Sequence, residues 1–219
     1  MKQLKKLKML GLTQRLRRRS DCMNVLALDI ETKNMSHEIG GFGNTHMFQV
    51  STVATWDGKN GTVYVDEPLD SFAKSGHVIK SLRDLKYDLD KHFESDGYLL
   101  GHNIVSFDLA VLKDAMDIYC INKYLNKRKY IDTSRILVKE HGERFPLQNL
   151  GINTLNENKL MESADAPRLW KMGEYDKVVE YCMKDTKIVY DVWMHGKENG
   201  FVKAFSVEKE EFVDLEVDW

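Results

Sequence analysis

Hydrophobic and polar positions change period several times along the chain, and each change marks an element. The first sustained apolar run, Val25–Ile30 in "NVLALDIET", is short enough for a buried strand. The glycines of "EIGGFGNTH" mark a loop after it. Phe48–Trp56 and Thr62–Val65 read as two strands, and the intervening "DGKNG" is a hairpin turn signal. From 79 to 95, Ile79, Leu82, Leu85, Leu89 and Phe93 fall at helical spacing. "DGYLLGHN" predicts a strand running into a turn, and "VSFDLAVLKDAM" predicts a helix. Residues 130–165 mix short helical pieces with loops. A long helix is expected from about Glu174 to His195, with "GKENG" as its C-terminal stop. Strands first, then alternating helix and strand, argue for one α/β domain.

Composition narrows the class without naming a function. The chain has 219 residues, 42% of them hydrophobic, which suffices for one good core or one core plus appendages. No apolar run approaches the roughly 20 residues needed to cross a bilayer, so no membrane partner is expected. The basic start has no apolar run behind it, so no secretory signal is expected either. Cys22, Cys120 and Cys182 are odd in number and widely spaced, which fits neither a disulfide framework nor a zinc knuckle. They are read as small, partly buried hydrophobes in a reducing compartment, with the cytoplasm expected. There is no G-x-x-x-x-G-K-[ST] for ATP and no serine-centred nucleophile elbow.

The net charge of -2 hides an uneven distribution. Residues 1–20 hold eight Lys/Arg and no acid, whereas residues 208–219 hold six acids and one lysine. Three regions are therefore expected: a basic arm (1–22), a central domain (23–200) and an acidic tail (201–219). The arm fits a basic amphipathic helix on a phosphate backbone or a mitochondrial-type presequence, and the tail fits a protein-partner site. Solvated termini are the default for both.

The candidate chemistry is acidic. Asp29 and Glu31 stand two apart in a strand, so both project from one face, flanked by apolar residues. Asp108 opens an apolar helix directly after Phe107; an acid there also complements the helix dipole. Tyr181 and Asp185 are one turn apart on the last helix and share a side. A buried aspartate at that place is costly unless a positive charge faces it.

In order, these segments read strand-D-x-E, N-x-x-x-F-D opening a helix, and Y-x-x-x-D within a late helix. The pattern resembles the three exonuclease motifs of the DEDD superfamily, in its tyrosine (DEDDy) branch. From about 24 to 193 the chain is similar to the predicted DnaQ-like exonucleases of the YprB type, relatives of the family B DNA polymerase proofreading domain. "YIDTSRIL", "FPLQNLGI" and "LWKMGEYDKVVEYCMKDTKIVYDVW" match that pattern in order and approximate spacing.

The resemblance implies a ribonuclease-H-like α/β fold, a central mixed sheet flanked by helices. It implies a metal-dependent 3′→5′ exonuclease acting on single-stranded ends, DNA favoured over RNA, and releasing nucleoside 5′-monophosphates. It assigns Asp29, Glu31, Asp108 and Asp185 to two Mg²⁺ or Mn²⁺ ions, with Asp29 bridging both. Glu31 and Asp185 then support the nucleophile-side ion and Asp108 the other, through water. Clustered carboxylates are hard oxygen ligands suited to such ions, and two ions about 4 Å apart suit phosphodiester cleavage. Tyr181 orients the attacking water, since a phenol with a pKa near 10 is a poor base at neutral pH.

Asn103 matches the family asparagine that reaches the terminal nucleotide, with loop capping as its alternative. Phe107 reads as a packing partner for the terminal base or as a core aromatic. Asn126–Tyr130, Arg135 and Arg144 are candidates for phosphate steering, against ordinary solvated charge. Trp170 is a candidate base-stacking residue, against burial beside the last helix. His102 is expected as a satisfied turn histidine, and Asp132 as a structural hydrogen-bond acceptor. Two other readings compete: a non-catalytic nucleic-acid-binding or scaffold module, and an endonucleolytic ribonuclease.

Overall fold

In a computed structural model, the structure describes residues 23–72, 76–157 and 165–219. The basic arm and Cys22 lie outside the described residues. Six strands form one mixed sheet: β1 (Val25–Thr32), β2 (Val50–Trp56), β3 (Gly61–Val65), β4 (Val78–Ser81), β5 (Tyr98–Gly101) and β6 (Tyr130–Asp132), in the spatial order β4-β3-β2-β1-β5-β6. The β1–β2 and β2–β3 pairs are antiparallel, while β3–β4, β1–β5 and β5–β6 are parallel. Only β2 therefore runs against the rest, and the other five strands end at one rim. In open α/β sheets that carboxyl-end rim is where ligands bind.

Helices cover both faces. On one side lie α1 (Leu85–Glu94), α2 (Asp108–Asp114) and α3 (Ile121–Lys127). Leu28 and Ile30 of β1 pack there against Leu85, Leu89, Leu109 and Leu112. The short helices α4 (Thr133–His141), α5 (Leu147–Leu150) and α6 (Ala166–Lys171) precede the long α7 (Tyr175–Asn199). On the other face Val25 and Ala27 pack with Val189, Val192 and Trp193 of α7, while Ala54, Val63 and Val65 meet Val178, Val179 and Cys182. Strand alternation thus decides which helix layer each β1 residue meets. Asp29 and Glu31 share the parity of Val25 and Ala27, and so project toward the α7 side.

Helix α7 stops at Gly200, whose φ of 80° is the left-handed cap geometry that favours glycine. The helical spacing from Ile79 does not begin a helix. Residues 78–81 pair with β3 as an edge strand, and Ser81 then accepts a hydrogen bond from the backbone N–H of Arg83 as the chain turns into α1. Strand β6, three residues long, was not legible among the short pieces of 130–165, because so short a run carries no period.

The acidic segment 201–219 is not a solvated tail. It forms an antiparallel hairpin, β7 (Phe201–Ser206) with β8 (Glu211–Glu216). Val202, Ala204 and Leu215 belong to the α7-side core, and the indole N–H of Trp219 donates to the Trp193 carbonyl at 2.8 Å. A side chain at Gly196 would meet Trp219 and Val217 within 2.8 Å, so this glycine lets the chain end lie on the helix. Asp214 and Glu216 of β8 are exposed on either side of buried Leu215, so a segment of net charge -4 hides an apolar contact. Among the described residues, no helix is long and apolar enough to cross a membrane.

Asp132 has the structural role expected of it. Its Oδ1 accepts from the backbone N–H of Asn103 (2.9 Å) and of Arg135 (3.1 Å), and its Oδ2 from that of Val105 (3.1 Å). One buried carboxylate thereby caps α4 and ties the turn after β5 to it. Asp132→Ala is expected to destabilise the fold by roughly 3–5 kcal/mol, since bonds to charged acceptors contribute about 1.5–3 kcal/mol each and do not add fully. Urea unfolding of the variant measures the loss.

Candidate active site

Asp29 and Glu31 stand at the C-terminal half of β1, beyond the stretch paired with β5, whose register covers only Val25–Ala27. Past that point the β1 edge is open to whatever follows β5. Asp108 fills the gap. It opens α2, is 6% exposed, and its Oδ1 accepts the backbone N–H of Ile30 at 3.2 Å. Opposite β2, the register shifts between Glu31 and Thr32, leaving Ser51 as an extra residue. Bulges of this kind re-aim side chains beside sites.

Tyr181 and Asp185 come from α7 and are 1% and 4% exposed. Between them in sequence, Cys182 places its thiol 3.5 Å from the Asp29 carbonyl and 3.8 Å from Asp29 Oδ2. That contact locks the α7 face onto the strand carrying the D-x-E pair. Burial pushes the Cys182 thiol well above its usual value, and the carboxylates of Asp29, Glu31 and Asp185 raise it further. It is protonated and inert, as is Cys120, which burial pushes up to about 11.

The five residues Asp29, Glu31, Asp108, Tyr181 and Asp185 line one cleft of 580 Å³, together with Asn103 and Phe107. Asn103 sits at a φ of 65°, a left-handed turn that asparagine tolerates, and this aims the loop after β5 into the cleft. Phe107 forms an aromatic wall with residues the sequence reading assigned elsewhere. Its ring meets Phe48 edge-on at 5.2 Å and Phe42 at 5.9 Å, and Phe42 is 68% exposed. The available signal for Phe42 was an aromatic set between glycines in an otherwise polar loop. Exposed Arg144 also lines the cleft.

Other candidates have mainly structural places. His102 bridges Thr133 Oγ1 and the Phe145 carbonyl, both at 2.9 Å, which is a turn-fixing role at the cleft wall. Trp170 is buried, 4.7 Å from the Tyr175 ring, in the core beneath α7. Lys129 pairs with Asp96 and lies over the Phe93 and Tyr98 rings, so the Asn126–Tyr130 run is structural in part. Arg135 does not line the cleft.

The donor set suits a hard divalent cation: four carboxylates face one cleft, and of the two histidines that line it, His102 has both ring nitrogens engaged by Thr133 and Phe145. Among the described residues, no three acidic, histidine or cysteine side chains are already gathered about one point as a finished ligand shell. The electrostatics have the same sense as the composition. Burial pushes the Asp108 carboxyl up to about 7, the hydrogen bond from Ile30 opposes this, and the negative charge of Asp132 adds to it.

A stability prediction follows from that shift. The native state holds the Asp108 proton more tightly than the unfolded chain, whose carboxyl titrates near 3.8. The resulting stabilisation is complete below the unfolded value and is lost as pH rises toward about 7. Denaturation in a chelator between those limits is expected to show falling stability, and Asp108→Asn is expected to flatten the slope. Searches of the chain against protein-family models and against curated proteins find no match.

Proposed function

We propose that this protein is a metal-dependent 3′→5′ exonuclease of the DEDDy type on a ribonuclease-H-like fold. One observation carries the reading: four acids and a tyrosine, supplied by β1, α2 and α7, line a single cleft at the carboxyl-end rim of the sheet. The mixed six-stranded sheet with helices on both faces is compatible with that fold.

Asp29, Glu31, Asp108 and Asp185 hold two Mg²⁺ or Mn²⁺ ions. When bound, the ions supply charge neutralisation at the phosphodiester and Lewis acidity for the leaving 3′-oxygen. The protein's own residues do the positioning. The Tyr181 hydroxyl, on a side chain fixed by its burial at the floor of the cleft, orients the water that attacks phosphorus. Asn103 reaches toward the terminal nucleotide from its left-handed turn, and exposed Phe42 with half-buried Phe107, backed by buried Phe48, offers ring surface to the terminal base, where stacking contributes roughly 1–3 kcal/mol. Single-stranded ends fit an open cleft of this size better than a duplex, and the products are nucleoside 5′-monophosphates.

Tyr181→Phe is expected to lower the hydrolysis rate roughly ten- to a hundredfold without abolishing it, as loss of a group that orients a reactant does. Single-turnover kinetics with Mn²⁺ measure it. The reading as a whole is tested by digesting matched 3′-labelled and 5′-labelled single-stranded DNA and RNA with Mg²⁺ or Mn²⁺. Mononucleotides released first from the 3′ label support it. Cleavage of a circular strand points instead to an endonuclease.

One rival is a nucleic-acid-binding module that keeps the cleft without the chemistry. A thermal melt separates the two. A catalytic acid set is stabilised by Mn²⁺, by about 2.7 kcal/mol at a hundred times its dissociation constant, whereas a scaffold does not respond.

A further inference from the structure

A second groove, of 530 Å³, lies along the same rim of the sheet as the acidic cleft. It is built where β1, β3 and β4 end, from Lys33, Asp66, Arg83 and Lys86, with Leu82, Met116 and Ile118 among its apolar lining. Phe48 belongs to both depressions: one side of its surroundings is the acidic cleft and the other is this groove. The chain between Lys33 and Val50, from the end of β1 to the start of β2, therefore forms the saddle between them.

The two compartments have opposite charge. The cleft presents four carboxylates, whereas the groove presents three cations against one carboxylate. That carboxylate, Asp66, is matched by Lys33 at 3.0 Å, which leaves Arg83 and Lys86 as the unbalanced charge. Both are exposed and three residues apart, Arg83 in the turn Leu82–Asp84 that leads into α1 and Lys86 in the first turn of α1. Below them, partly buried Met116 and buried Ile118 supply an apolar floor. A cationic rim over an apolar floor suits a nucleotide chain, with its phosphates outside and its bases inward. No other polyanion has a reason to end beside four carboxylates that accept metal.

We propose that this groove is a subsite for single-stranded nucleic acid, holding the phosphates just upstream of the 3′ end bound in the cleft. The inference rests on the exonuclease reading for the polarity of the strand, though not for the charge and continuity of the groove. Arg83 and Lys86 are binding residues here and take no part in the reaction.

The test uses the full chain, a chelator to prevent hydrolysis, and a fluorescent oligothymidylate of about 12 nucleotides, within the usual site sizes for single strands. For Arg83→Gln/Lys86→Gln, affinity is expected to fall roughly tenfold at low salt. The slope of log K against log salt is expected to flatten by about 1.4, which is ~0.7 for each phosphate contact removed. A control with the same charge change at exposed Lys139 and Lys203, on α4 and β7, is expected to leave the slope unchanged. The proposal is overturned if the first variant keeps the wild-type slope, if the control flattens it equally, or if the wild type does not bind.

Wild-type hydrolysis of the p-nitrophenyl ester of thymidine 5′-monophosphate with Mn²⁺ reports on the chemistry separately. Ester cleavage with an insensitive slope removes the groove and keeps the nuclease. A sensitive slope without ester cleavage keeps the groove and removes the nuclease.

Discussion

Asp29→Asn is expected to lower the proposed 3′-end hydrolysis by at least about 10³-fold, corresponding to roughly 4 kcal/mol of lost transition-state stabilisation. Asparagine keeps the shape and one oxygen of the side chain but removes the charge that the proposed dications need. Because Asp29 is only half-buried and its backbone stays in the β1–β2 ladder, the fold is expected to remain intact. The variant should therefore melt near the wild-type temperature in a chelator while losing the upward shift produced by Mn²⁺. This combination separates loss of metal from loss of structure. An Asp29→Asn protein that degrades single strands at the wild-type rate would remove Asp29 from the mechanism, and with it the two-ion reading. Asp185→Asn tests the same cluster from α7, though its deeper burial makes the fold control more important there.

Truncation after Gly200 is expected to be the most damaging change to the fold. A solvated acidic tail could be removed without consequence. The hairpin cannot, because Val202 and Leu215 are nearly closed to solvent and pack in one core cluster with Val192 and Trp193. Two such side chains contribute about 1.5–3 kcal/mol each, before the uncovering of Trp193 is considered. Together they contribute about 3–6 kcal/mol, a large share of the roughly 5–15 kcal/mol that holds a typical domain folded. The truncated chain is expected to be insoluble or to melt far below the full chain, as differential scanning calorimetry or a soluble-yield comparison would show. A soluble truncated protein with an unchanged melt would mean that the β7–β8 contacts contribute nothing. Milder variants grade the effect: Leu215→Ala removes part of the buried area, whereas a charge change at exposed Glu211 leaves it alone.

The metal-linked predictions and the hairpin prediction are independent. The first concerns charge at the carboxyl-end rim, where α7 meets β1 through Cys182 and Asp29. The second concerns apolar area toward the C-terminal end of the same helix. Helix α7 therefore joins them physically, since its N-terminal half carries Tyr181 and Asp185 and its C-terminal half carries the surface that the hairpin covers. Partial loss of the hairpin is expected to loosen the site only if α7 shifts as a body.

Much of this was written locally in the chain. The short apolar run at Val25–Ile30, the "DGKNG" turn and the helical period from about Glu174 to His195 each depend on neighbours within a few residues, so they can be read without the fold. The D-x-E pair on one strand face and the Tyr181–Asp185 pair on one helix side follow from the same periods. Other features depend on pairing between distant segments. The β4 edge strand overrides a helical spacing because β3 offers it a ladder, and β6 is too short to carry a pattern of its own. The acidic hairpin was hidden because charge describes only its outer face, while burial is decided by what lies beneath. The joining of Asp29 and Glu31 with Asp108 and with α7 is tertiary too. It depends on β5 ending before β1 does, which opens the Ile30 N–H to an aspartate from the next helix.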